Sequence, residues 1–207
     1  MTSSNNTNTI GKIVNSIERF RNSENFFVGL LRDILFIGGM ILLFMLISQI
    51  LLGLPMPAVA VESGSMIPHI NIGDVVIIQS YDRTDIVTYD EGLQSDYESF
   101  DYSGDVILYY KYGDTKVTPI IHRAMYWVDT GDPMWTNGPP APHAGYITKG
   151  DNKVTNTQVD QATNISKLQP IKEEWVIGVA RWKIPLIGYV SLIRSEIWMM
   201  ITDPEKN

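Results

Sequence analysis

Gly73-Asp74-Val75-Val76-Ile77-Ile78 decides the fold class of this 207-residue chain, and Gly104-Asp105-Val106-Ile107-Leu108-Tyr109-Tyr110 opens in the same way. In each stretch a Gly-Asp pair precedes a short run of branched and aromatic residues. This pattern is typical of a β-strand that is entered from a tight turn. Ile120-Ile121 and the run from Trp175 to Ala180 have the same composition. We therefore predict a mainly β domain beyond residue 55.

A long apolar segment precedes this β-rich region. Residues 34–54 are 21 residues without a charge, and as a helix they would span about 30 Å, the thickness of a bilayer's hydrocarbon core. A buried helix of a soluble protein usually shows a polar face, which this segment lacks. The sequence predicts a leader at 1–33, a transmembrane helix at 34–54, a domain at 55–185 and an apolar C-terminal segment at 186–207. That last segment contains Arg194 and Glu196, which suits the membrane interface better than a second span.

Basic residues lie on one side of the apolar segment. Lys12, Arg19, Arg21 and Arg32 precede it, and the next basic residue is Arg83. By the positive-inside rule, the N-terminus is cytoplasmic and the large domain lies outside the cytoplasm. The alternative is a cleaved secretory signal, but its apolar core would be 7–15 residues, with a leader shorter than 33 residues. We expect a single-pass protein of the cell membrane.

Composition excludes several functional classes. Residues 1–54 carry four basic and three acidic groups, whereas residues 55–207 carry twelve basic and twenty acidic groups. An acidic domain is a poor nucleic-acid binder, so we expect no nucleic-acid partner. The chain has no cysteine and three histidines, and we expect neither a metal site nor a cofactor. Residues 82–103 hold seven acids against Arg83 alone, which indicates a solvated loop.

Four residues in this domain could carry chemistry. Ser65 follows Gly64, His122 ends an apolar run, Asp151 opens a Gly-Asp-Asn turn, and Asp160 is a second carboxylate nine residues later. Each has an ordinary structural interpretation, as a turn serine, a packing histidine or an Asx-turn aspartate. Together, a hydroxyl, an imidazole and a carboxylate are the nucleophile, base and orienting acid of a serine hydrolase.

Several ordered motifs resemble one known family. They are Ser63-Gly64-Ser65-Met66-Ile67-Pro68, the two Gly-Asp-Val entries, Ile121-His122-Arg123 and Lys149-Gly150-Asp151-Asn152. In these motifs the chain resembles type I signal peptidases, specifically the archaeal and endoplasmic-reticulum branch. The resemblance implies a catalytic domain of antiparallel sheets that removes signal peptides from translocated preproteins. It also implies a bilayer anchor and an association with the secretory translocation machinery.

The resemblance assigns roles residue by residue. Ser65 matches the nucleophile, and His122 matches the base, where bacterial relatives carry a lysine. Ser63 and Met66 match the positions expected to contact the oxyanion or the substrate. The family has two aspartates in its last motif, and here Asp160 lies farther from Asp151 than the usual spacing of about six or seven residues. We favour Asp160 as the acid that orients His122, with Asp151 as a supporting acid.

Two other functions fit parts of the sequence. A non-catalytic membrane-anchored β-domain, such as an accessory or structural subunit, would use Ser65, His122 and the aspartates only as turn and packing residues. Retention of both Ser65 and His122 argues against that interpretation. A membrane serine protease for other substrates would share every motif, and the sequence does not separate it from a signal peptidase.

Overall fold

The computed structural model describes residues 11, 12, 15 and 18–187. Contacts divide the chain into two compact units, residues 1–47 and residues 48–207. Most of the expected C-terminal segment at 186–207 lies outside the described residues, since only 186 and 187 belong to them.

One long helix, α1, runs over Phe26–Leu52. It begins eight residues before the predicted span at 34–54, because Asn25 accepts the backbone N–H of Phe27 at 3.0 Å and caps the first turn. It ends where Gly53 adopts a positive φ of 74°. Among the described residues it is the one helix long and apolar enough to cross a membrane, which fits a single-pass membrane protein.

The rest of the described chain is mainly antiparallel β, as predicted. Its one sheet has the order β1-β2-β6-β3-β4-β5, and every pairing is antiparallel. The strands are β1 (Ala58–Ala60), β2 (Val75–Ser80), β3 (Val106–Tyr109), β4 (Ile120–Val128), β5 (Gly145–Lys149) and β6 (Val176–Ile184). The sequence pattern missed β1 and β5, since three residues and five residues carry too little alternation to stand out.

Side chains of the central strands form the core. One cluster joins the residues around Met66 to Val76, Ile78 and Leu108, and a second packs Ile107 and Tyr109 against Val179. All four residues of β3 are buried, so both faces of this strand are covered, whereas β2 alternates between buried and half-buried residues. This rigid centre carries the residues that the sequence singles out.

The acidic stretch at 82–103 is not simply a loop. It contains a short helix, α2 (Tyr89–Ser95), whose capping box joins Thr88 and Glu91. These Thr88 bonds hold the pKa of the Glu91 carboxyl below its ordinary value. The stretch packs on the sheet through Asp105, which accepts hydrogen bonds from the Val87 N–H and the Tyr97 hydroxyl.

Candidate active site

Ser65 and His122 line the same cleft, which has a volume of about 680 Å³. One wall is the segment from Ala58 to Ser63, and the other contains Pro119 to His122 together with Ile165. Most of this lining is apolar, and Ala58 and Ala60 contribute small side chains. A mostly apolar cleft with a few convergent polar groups is the usual form of a substrate site.

The hydroxyl of Ser65 lies 3.3 Å from the hydroxyl of Ser63. No hydrogen bond joins Ser65 to His122 in the described chain. Catalytic contacts are often long before substrate binds, so this geometry leaves both roles open. The Met66 side chain is buried in the core, so only the backbone of Met66 can meet an oxyanion or a substrate.

A turn at 150–156 holds the backbone around Ser65. Asn152 donates its backbone N–H to the carbonyl of Ser65 and its side-chain amide to the carbonyl of Gly64, both at 2.8 Å. Asn156 donates a second amide bond to the Ser65 carbonyl at 3.1 Å. A Cβ on Gly150 would lie 2.7 Å from that same carbonyl oxygen, so glycine is needed for the close approach.

These bonds also set where two N–H groups point. In a trans peptide the C=O and the N–H point in opposite directions. The Gly64 carbonyl shares its peptide with the Ser65 N–H, and the Ser65 carbonyl shares its peptide with the Met66 N–H. Both N–H groups are therefore directed away from the turn, and neither has a hydrogen-bond partner among the described residues. Two such free donors beside a nucleophile are the components of an oxyanion hole.

His122 is paired with Asp160. The His122 Nδ1 lies 2.7 Å from the Asp160 Oδ2, and the two residues are 3% and 0% exposed. A carboxylate accepts hydrogen bonds, so Nδ1 carries the proton and Nε2 is left as the basic nitrogen. This is the tautomer that a general base for a serine hydroxyl requires.

Asp160 receives two further hydrogen bonds. The Thr148 hydroxyl donates to the same Oδ2 at 2.7 Å, and the Tyr109 hydroxyl donates to it at 3.0 Å. Burial, followed by the charge of Asp160, raises the pKa of Tyr109 well above its ordinary value, so this phenol keeps its proton. The carboxylate thus sits among three donors.

Asp151 has a different set of partners. It accepts a bidentate ion pair from Arg123, at 2.9 Å from Nε and 2.6 Å from Nη2. The Nδ1 of His69 lies 2.8 Å from its Oδ2. Asp151 does not contact His122, and the Asx turn that its sequence suggested is made by Asn152, whose Oδ1 accepts the Val154 N–H.

Arg123 ties Asp151 to the acidic stretch. Its side chain is completely buried, and its Nη1 donates to four backbone carbonyls, those of Ser99, Tyr102, Ser103 and Gly104. Residues 122 and 123 are neighbours on β4, so their side chains point to opposite faces of the sheet. The Arg123–Asp151 pair therefore lies on the face of the sheet opposite to His122.

Four residues around the site carried no role in the sequence analysis: Tyr109, Thr148, Asn152 and Asn156. Thr148 and Asn152 lie in or beside the Lys149-Gly150-Asp151-Asn152 motif, so their position was available as a signal. Nothing local marks Tyr109, which reads as one more apolar strand residue. The remaining histidine, His143, contacts Ala144 and Gln169. In the described part of the chain no cluster of three ligating side chains could hold a metal ion.

Comparison with known proteins identifies catalytic subunits of signal peptidase complexes as relatives. The signal peptidase complex catalytic subunit of Metarhizium robertsii is 30% identical over 142 residues, which cover 69% of this chain and 66% of that protein. The corresponding subunits of Sclerotinia sclerotiorum and Komagataella phaffii are each 29% identical over 142 and 141 residues, 66% and 67% of their lengths. This chain therefore matches about two thirds of each relative. No protein-family model matches the chain.

Proposed function

Because this chain belongs to the type I signal peptidase family, we propose that it is a membrane-anchored serine endopeptidase that removes signal peptides from preproteins. The observation that carries the proposal is the buried pair of His122 and Asp160 at the cleft that Ser65 lines. It supports a hydrolase over a passive β-domain, since a packing histidine does not need a completely buried carboxylate on Nδ1.

The proposed reaction is acyl transfer through Ser65. The Nε2 of His122 takes the proton of the Ser65 hydroxyl as its oxygen attacks the scissile carbonyl, and returns that proton to the leaving amine. Water then attacks the acyl-enzyme with the same histidine as base, and Ser65 is released. The N–H groups of Ser65 and Met66 receive the oxyanion, with the Ser63 hydroxyl as a further donor.

The cleft suits an extended peptide with small side chains. Strand β1 is at the edge of the sheet and lines the cleft, so a substrate can add to its open side through backbone hydrogen bonds. Ala58 and Ala60 leave room beside this edge. These features support signal peptides cleaved after small residues over the alternative of a protease for bulky sequences.

The activity is tested with the full chain in detergent and a labelled preprotein. The wild type should release the signal peptide, and Ser65→Ala should abolish cleavage while the melting temperature is kept. Ser63→Ala should only weaken turnover, since it would lose one donor of several. Cleavage by Ser65→Ala at the wild-type rate would remove the serine mechanism. A complex purified from the native membrane that cleaves equally well with wild type and with Ser65→Ala would favour the accessory-domain alternative.

Membrane placement belongs to the same proposal. The basic residues before α1 support a cytoplasmic N-terminus, with the sheet domain on the side where preproteins emerge. In intact cells, or in sealed vesicles whose non-cytoplasmic face is outward, added protease should cut within 82–103 and spare the first thirty residues. Protection of 82–103 would reverse the orientation. Fractionation of the producing cell decides whether the membrane is the cell membrane, as expected above, or the endoplasmic reticulum.

The partners are proposed from the same relatives. They are named as catalytic subunits of a signal peptidase complex, so we propose that this chain also works beside other subunits and the translocation machinery. Mild-detergent purification from the native membrane should then recover a particle larger than the chain alone. Full cleavage by the pure chain would show that such subunits are dispensable for the chemistry.

A further inference from the structure

The buried surroundings of Asp160 contain more hydrogen-bond donors than a serine-hydrolase triad requires. Oδ2 accepts from His122, Thr148 and Tyr109 at 2.7, 2.7 and 3.0 Å. Oδ1 is also buried, and it has no hydrogen-bond partner among the described residues. All the hydrogen bonding is therefore concentrated on the one oxygen that faces the imidazole.

We propose that Tyr109 and Thr148 are positioning residues that hold Asp160 for His122 and limit how strongly its carboxylate attracts the imidazole proton. Strand register places the three side chains on one face. Ile107 is opposite His122 on β3 and β4, so Tyr109, two residues on, shares the face of His122, and Thr148 of β5 is opposite Ala124, two residues beyond His122. Each donor is thus set by a strand and not by a flexible loop.

Thr148 is itself held in place. Its backbone N–H donates to the Gln161 side chain at 3.1 Å, and the amide of Gln161 lies 3.4 Å from its hydroxyl. The hydroxyl has one proton, which the short bond to Asp160 uses, so it can only accept from Gln161. Gln161 follows Asp160 in the same 3₁₀ turn, Asp160–Ala162. The turn and β5 therefore fix each other, and the carboxylate cannot rotate without breaking several bonds.

The electrostatic consequence follows from burial. An ionised carboxylate in an apolar interior is stabilised by the donors that surround it. Hydroxyl donors on Oδ2 disperse its negative charge, so the His122 Nδ1–H donates to a weaker acceptor than an otherwise unpaired carboxylate. Removing one hydroxyl should strengthen the pull of Oδ2 on that proton and also loosen the carboxylate.

The charged and titratable groups around the pair are few. Tyr109 faces it from β3, and Asp160 itself comes from the 3₁₀ turn. On β4, Arg123 points to the other face and pairs with Asp151. From β5, Thr148 contributes an uncharged hydroxyl. Tyr109 and Thr148 are therefore the described side chains that donate to the Asp160 carboxylate besides His122.

The test is a proton NMR spectrum of the full chain in detergent. The His122 Nδ1–H, shielded from solvent by burial, should give a resonance downfield of the amides, identified by its loss in His122→Gln. In Tyr109→Phe and in Thr148→Val this resonance should move further downfield, because Oδ2 becomes a stronger acceptor. Thr148→Ser, which keeps the hydroxyl, should leave it in place. Tyr126→Phe is the matched control, since the Tyr126 hydroxyl donates to the Met134 carbonyl instead.

Activity supplies the second measurement, and this part rests on the proposed function. Tyr109→Phe and Thr148→Val should lower kcat about tenfold with KM nearly unchanged, because losing one hydrogen bond to a charged group has an effect of that order. Thr148→Ser should restore kcat. The resonance does not depend on turnover, so an inactive protein with the expected shifts would remove the proposed function and leave this inference standing.

A resonance that stays in place in both Tyr109→Phe and Thr148→Val, with melting temperatures near the wild type, would overturn the inference. If one variant fails to fold, the other decides alone, since each removes a separate donor. Equal shifts in Tyr126→Phe would also overturn it, because the effect would then come from general loosening of the sheet.

Discussion

Two histidine–aspartate pairs in this chain have nearly the same geometry and different surroundings. His122 lies 2.7 Å from Asp160, and His69 lies 2.8 Å from Asp151. The Asp160 carboxylate otherwise accepts only from two neutral hydroxyls, those of Thr148 and Tyr109, whereas the Asp151 carboxylate is neutralised by the buried guanidinium of Arg123. A carboxylate that is already paired with a cation attracts the proton of a histidine less strongly. The distance alone therefore does not identify the catalytic pair.

The His69–Asp151 pair has a structural role beside the residues that hold Ser65. The His69 ring stacks on Tyr102, with centroids 5.0 Å apart, and Asp151 adjoins Asn152, which holds the Ser65 backbone. We therefore interpret the His69–Asp151–Arg123 cluster as the support of the turn at 150–156, which holds the backbone around Ser65. The His122–Asp160 pair is the unit that transfers the proton.

The largest effect is expected from Asp160→Asn. The amide can donate to Nδ1, which favours the tautomer with its proton on Nε2, and that tautomer cannot accept the Ser65 proton. We expect kcat/KM to fall by up to about 10⁴-fold, with the melting temperature close to the wild type. Asp151→Asn is the matched comparison, and a severe, stability-neutral loss there with near-normal Asp160→Asn would reverse the two roles.

Arg123→Met should act mainly on stability. It leaves the buried Asp151 carboxylate without its cation and four carbonyls without their donor, and breaking a buried pair costs about 3–5 kcal/mol. A decrease in melting temperature of about 10 °C should follow. The double variant Arg123→Met with Asp151→Asn should recover part of this loss, since the unpaired charge is gone. An unchanged melting temperature in Arg123→Met would contradict the supporting role.

Asn152→Ala and Asn156→Ala test whether these two side chains fix the backbone around Ser65. Each removes an amide that fixes the Gly64 or the Ser65 carbonyl, so the two free N–H groups lose their direction. We expect kcat to decrease by about 10- to 100-fold with little change in KM. Gln158→Ala is the control, because Gln158 is exposed on the same stretch. Equal losses in the control would point to general disturbance of this stretch.

His69→Phe should have the smallest effect. The phenyl ring can keep the stack on Tyr102, and Asp151 keeps its bidentate bond from Arg123, so the loss is one hydrogen bond worth about 1 kcal/mol. Cleavage by the folded variant should remain near the wild-type rate. Loss of cleavage in His69→Phe together with normal activity in His122→Ala would make His69 the base, since it lies four residues from Ser65.

The sequence pattern predicted some strands of the sheet and missed others. Strands β2, β3 and β6 were predicted because Val, Ile and aromatic runs follow turn residues. Of the three, β3 is buried on both faces, which explains its continuous apolar run. Strand β1 was missed, although Ala58-Val59-Ala60 forms a wall of the cleft, because three residues carry too little alternation to stand out. The helix α2 was missed because its acidic residues read as loop, and its capping box is the signal that was available.

The sequence by itself determined the β class, the long apolar helix, and the serine, histidine and aspartate candidates, because periodicity, hydropathy and local motifs are properties of neighbouring residues. Only the tertiary structure decided which carboxylate contacts which histidine. Asp151 and Asp160 are nine residues apart in one polar stretch. In the folded chain they pair with Arg123 and His122, whose side chains lie on opposite faces of β4. Tyr109 and Thr148 join the site for the same reason: strand pairing brings together side chains that are 39 residues apart, and no local pattern encodes that contact.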